Sequence, residues 1–186
     1  MPILGILASS KLTAAAGDYE SIATVTVGSG GSSSISFTSI PGTYAHLQLR
    51  YLVKASGSSE SYDFLQMTIN GSTPSARQHY LTGNGSAASA DTGTLSAAVL
   101  SPYPNGNGPA NTYGIGVVDI LDYANTNKAR VTRTLGGWDQ NGSGQVRLVS
   151  SWINSTSAIT SIELKSTNNN TLAQYSHFAL YGIKGA

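Results

Sequence analysis

The chain has 186 residues with ten Lys/Arg against nine Asp/Glu, a formal charge of +1, and only 10% charged residues, against about 25% in an average domain. That balance excludes the concentrated basic face of a phosphate-backbone binder and the acidic composition of a solvating tail. The absence of cysteine excludes a disulfide framework, a thiolate metal site and a Cys nucleophile, and no apolar run approaches the ~20 residues of a membrane-spanning helix.

Residues 1–20 read as an amino-terminal arm ordered only where it docks, with Ile3, Leu4, Ile6 and Leu7 as its apolar contacts to a partner. A secretion signal is not expected, because Pro2 and Gly5 break the apolar stretch and Lys11 follows it. Residues 21–186 read as one domain of strands. Alternation of period two is seen at Ala23-Val25-Val27, Ile35-Phe37, Ala45-Leu47-Leu49-Tyr51-Val53 and Leu65-Met67-Ile69. It returns at Val146-Leu148 running on to Trp152, at Ile162-Leu164 and at Phe178-Leu180, with weaker segments at 76–82, 95–100 and 129–136.

The phase of Val146 and Leu148 places Trp152 in the core. Gly114–Leu121 is apolar on both parities and predicts a central strand covered on each side. Turn residues separate these segments at 28–31, 70–71, 84–85 and 141–142, and Ser101–Pro109 reads as an exposed loop. No window carries a helical stripe. Roughly ten short strands with polar turns predict an all-β, single-domain antiparallel sandwich or barrel.

Chemistry-bearing residues are few. His46, His79 and His177 show no metal-ligand spacing, so no metal or other cofactor is expected. Asp119 and Asp122 are the closest carboxylates within an ordered segment. The reading preferred for them is a pairing with Lys128 or Arg130 and a turn cap, ahead of calcium ligation or paired-carboxylate hydrolysis. Tyr103, Trp138 and Asp139 are candidate recognition residues on loops, because exposed aromatic rings stack on sugars or fill a partner's pocket.

Ten cations are too few to guard every sheet edge of a lone sandwich, so association with sister copies is expected.

The segments Ser36–Arg50, Val118–Lys128 and Phe178–Gly185 resemble small virion proteins of tailed bacteriophages, in the same order and over almost the entire chain. That resemblance implies a jelly-roll β-sandwich, commonly a homotrimer, and carries over no catalytic residue. It implies a non-enzymatic capsid decoration (cement) protein on the outer shell, with the major capsid protein as partner, or alternatively a receptor-binding head on a tail fibre. Neither nucleic acid nor a membrane is an expected partner.

Overall fold

The computed structural model describes residues 17–57, 61–72, 75–95 and 97–185. The contact residues expected on the arm, Ile3, Leu4, Ile6 and Leu7, lie outside them. Twelve strands form two antiparallel sheets, and no helix occurs among the described residues. In chain order they are β1 (Tyr19–Thr26), β2 (Ser34–Phe37), β3 (His46–Val53), β4 (Tyr62–Ile69), β5 (Ala76–Gly83) and β6 (Ala88–Leu95). The second half supplies β7 (Ala98–Pro104), β8 (Gly114–Leu121), β9 (Arg130–Asp139), β10 (Gly144–Ile153), β11 (Ile162–Ser166) and β12 (His177–Ile183). β1 begins two residues inside the expected arm.

The large sheet has the order β1-β12-β3-β8-β9-β10-β5-β6, and the small one β2-β11-β4-β7. When the hairpins β5–β6 and β9–β10 are set aside, the other eight strands alternate between the sheets except at β4 and β7, which follow one another in the small sheet. Their order is first, eighth, third, sixth on one and second, seventh, fourth, fifth on the other. The two hairpins then lie side by side and double the width of the large sheet.

The core lies between the sheets and follows the alternation of the sequence. Leu47, Leu49 and Val53 of β3 point inward with Phe178 and Leu180 of β12 and with Val118 and Ile120 of β8. They meet Leu65 and Met67 of β4, Ile35 and Phe37 of β2, and Ile162 and Leu164 of β11. Asn70 and Gly71 both take positive φ, 52° and 70°, which an Asn-Gly pair adopts with little strain at the end of β4. Gly182 serves a close approach, since a Cβ there would run into the Tyr44 ring.

Three expectations are corrected. Ser101–Pro104 is buried strand at the end of β7 rather than exposed loop, and Tyr103 is fully buried. β7 is an edge strand of the small sheet, where Pro102 and Pro104 need not donate to a further neighbour. Gly114–Leu121 is central but covered on one side only, leaving Ile115 61% and Leu121 55% exposed. Trp152 is outside the core. In β10 the inward parity is Arg147, Val149, Ser151 and Ile153, so Val146, Leu148 and Trp152 face outward.

Two buried charged groups hold loops with no ion partner among the described residues. Asp63 of β4 accepts hydrogen bonds from Ser166 Oγ (2.5 Å), Thr167 Oγ1 (2.9 Å), Asn168 Nδ2 (3.1 Å), Asn170 Nδ2 (2.9 Å) and the Phe64 N–H (2.6 Å). The five donors replace water around a carboxylate that is 1% exposed. Arg130, also 1% exposed, donates to the carbonyls of Tyr123, Lys128, Thr156 and Ser157. It ties the 122–128 loop to the 154–158 loop. Burial lowers the affinity of its guanidinium for the proton, and the nearby Asp122 opposes that.

Candidate docking face

The outer face of the large sheet is built from side chains that would ordinarily fill a core. Cross-strand partners share a face, so the strand registers lay them out in rungs. One rung runs Leu52 (β3), Ile115 (β8), Gly137 (β9) and Val146 (β10). The next runs Val117, Leu135, Leu148 and Leu81, ending on Ala90 at the β6 edge. A polar rung follows: Gln48, Asp119, Arg133, Ser150 and His79. Beyond it Trp152 lies opposite Val131, near the end of β8 at Leu121.

Leu81, Leu135 and Val146 are 56%, 56% and 61% exposed, and Trp152 is 39%. The inner face of the same strands is the polar one. Gln78, Thr132, Thr134, Arg147 and Ser151 are buried there. The Gln78 amide donates to Ser151 Oγ and to the Val99 carbonyl, and Arg147 lies 3.7 Å from the Tyr80 ring centroid and 4.9 Å from that of Phe64. Over β9, β10 and β5 the usual polarity of a half-exposed sheet is reversed.

The polar rung is internally paired. Gln48 Nε2 donates to Asp119 Oδ1 at 2.9 Å, and Arg133 Nη2 donates to Asp119 Oδ2 at 2.9 Å. Partial burial raises the Asp119 pKa, but these two donors and the Arg133 charge outweigh it, and the carboxyl titrates below its ordinary value. Asp122 pairs with Lys128, which with its charge holds that carboxyl low as well, and its N–H donates to His46 Nδ1. The Lys128 partner expected for one of these carboxylates is therefore present, while the other pairs with Arg133 instead of capping a turn. An open groove of about 500 Å3 runs between Asp119, Leu121 and Lys128 on one side and Val131 and Leu148 on the other.

At the β1 end of the sheet the face turns aromatic. Tyr19 stacks on Tyr181 at 4.7 Å, the Arg50 guanidinium lies over both rings, and the Tyr19 hydroxyl donates to Gln48.

The expected recognition residues do not form one site. Tyr103 is inside, its hydroxyl pKa pushed far up by burial and by the Asp63 charge. Trp138 is half-buried in β9 and stacks on Tyr62 at 6.0 Å. Asp139 is exposed and accepts from the Asn141 N–H at 2.7 Å, as a turn residue does. Among the described residues no group of three His, Asp or Glu side chains could hold a metal ion. His79 is exposed on the outer face, and His177 Nδ1 bonds Thr26 Oγ1 at 2.9 Å.

Sequence reasoning missed the outward role of Ile115, Leu135, Leu148 and Leu81. The available signal was the opposite parity, where Arg147, Ser151, Thr132, Thr134 and Gln78 hold positions that a core would fill with apolar groups. Comparison with protein families, curated proteins and solved structures returns no match to this chain.

Proposed function

We propose that the chain is a non-enzymatic building block of a tailed-bacteriophage virion, a capsid decoration protein that braces neighbouring capsomers as a homotrimer. The carrying observation is the apolar outer face that runs over β8, β9, β10 and β5, joined in β9 and β10 to an inner face rich in polar groups. Such a distribution suits a protein that functions covered, since exposed apolar patches of this kind mark interaction sites. The sequence resemblance supplies the virion. The order of the eight strands in the two sheets, first-eighth-third-sixth and second-seventh-fourth-fifth, supports a jelly-roll wiring. The carboxylates on or near the face are engaged by Gln48, Arg133 and Lys128, which suits a docking role better than proton transfer.

The fibre-head reading ranks second. Its aromatic platform loses Tyr103 to the interior and leaves Trp138 stacked on Tyr62.

Gold-labelled antibody against the chain, applied to intact particles, tests the location. Label distributed over the shell is the expected result, and label confined to the tail or absent from the particle overturns it. Deletion of residues 1–12 is expected to lower capsid occupancy, measured by quantitative gel densitometry of purified particles; unchanged occupancy removes the arm from the docking.

A further inference from the structure

The apolar rungs need a cover, and three properties of the face point to what supplies it. The first is size. Nine outward residues of β3, β5, β8, β9 and β10 are between 37% and 61% exposed, from Leu52 to Val146. Together they present on the order of 900 Å2, against the ~800 Å2 per partner of a standard interface and the 300–600 Å2 of the largest patch on a typical monomer.

The second property is charge. At the centre of the apolar rungs stand Asp119 and Arg133, one of each sign, side by side in register on β8 and β9, while Arg50 opposite Val117 and Arg77 opposite Trp152 lie at the margins. A face with one anion and one cation at its centre is complementary to another copy of itself. Asp119 of one copy finds Arg133 of the next, and neither is left against a like charge. A strongly basic partner would find no matching field here.

The third is shape. The rungs run across β8, β9, β10 and β5, with Gly137 and Gly83 on either side of Val146, so a second sheet can lie on them face to face.

We infer that the outer face of β8, β9, β10 and β5 is the contact between copies of this chain, with Leu135 and Leu148 at its centre and the Asp119–Arg133 pair setting its register. This rests on the reading of the chain as a self-associating building block, and names the surface through which it does so; a face that meets its own copy closes a two-fold pair, so the unit it builds is a dimer in place of the three-fold one.

Sedimentation equilibrium of the full chain tests it, comparing wild type with the double variant L135E/L148E and with the control S36K. Ser36 is exposed on the outer face of the small sheet, opposite Glu163. Wild type and S36K are expected at a multiple of 19.2 kDa, and L135E/L148E at a single copy with wild-type circular dichroism. Each substitution is expected to weaken association at least about 30-fold, the factor that a central interface residue carries.

If L135E/L148E does not fold, L81K at the more open rim carries the same test. A variant that folds and keeps the wild-type mass overturns the assignment of the face while leaving self-association standing. A wild type that stays at 19.2 kDa at every concentration overturns both. A monomeric wild type that binds a synthetic peptide of residues 1–16 on this face makes the arm the occupant and also overturns the inference.

Discussion

At the scale of single residues the molecule relies on buried charges satisfied by neutral dipoles. Asp63 accepts five hydrogen bonds and Arg130 donates to four carbonyls, and neither has an ion partner among the described residues. Removing such a group strands its partners. Asp63→Ala leaves buried or half-buried donors of Ser166, Thr167, Asn168 and Asn170 without their acceptor, and is expected to cost about 3 kcal/mol in urea unfolding. A loss below 0.5 kcal/mol would mean that water or alternative partners replace the carboxylate.

Asp119 supplies a pH-dependent test. Its folded pKa lies below its unfolded value of about 3.9, so its stabilisation is fully present above pH ~4 and is lost as the pH falls through the folded value. The urea midpoint of wild type should therefore exceed that of Asp119→Asn at pH 7, and the gap should close below pH ~4. A gap that is independent of pH would assign the difference to packing.

At the scale of elements, the sequence specified the strands better than it specified their facing. β3, β4 and β12 alternate with apolar residues inward, and their reading from Leu47, Met67 and Phe178 agrees with the structure. The weak segments 76–82, 95–100 and 129–136 become β5, β7 and β9. Period two identifies a strand, but it says nothing about which face is the core. In β10 the larger apolar residues Val146, Leu148 and Trp152 point outward, while Arg147 and Ser151 point inward with Val149 and Ile153. A reader who equates apolar with buried inverts such a strand.

β6 escaped notice for a related reason. Ala88–Leu95 is exposed along most of its length and lacks a clear apolar alternation. Of the candidate site, the pairing of Asp122 with Lys128 was legible from spacing, because loop residues six apart can fold back on each other. The face itself was not, because it exists only once the registers of five strands are set.

The facing of β10 is open to direct test. Ile153→Ala should cost about 3 kcal/mol, as a fully buried aliphatic does. Val146→Thr, at chain concentrations too low for association, should change stability by less than ~0.5 kcal/mol. Equal losses at both positions would reject the register. At the other end of the sheet, Gly182→Ala should cost about 2 kcal/mol in urea unfolding, because its Cβ would displace the Tyr44 ring.

At the scale of the whole molecule, a wide sheet is laid over a narrow one. The small sheet covers β3, β8 and their neighbours, and its β7 reaches β9, β10 and β5, so β6 carries the sheet beyond its partner layer. Beneath β7, the strands β9 and β10 turn polar side chains toward the protein's own interior and apolar ones toward whatever lies outside. Folding alone does not favour that arrangement, since the ~25 cal/mol gained per Å2 of apolar surface buried is realised only when something covers the outer face. On the proposal made above, a second copy supplies the missing burial.

Hydroxyl-radical footprinting of the full wild-type chain, read by mass spectrometry, tests this most directly, with Tyr175, 65% exposed on the loop before β12, as the internal standard. At high chain concentration Leu135, Leu148 and Trp152 should be protected relative to Tyr175, and dilution should restore their oxidation. Oxidation of those three residues at their free-surface rates at every concentration, in isolated chain and in purified particles alike, would contradict the account.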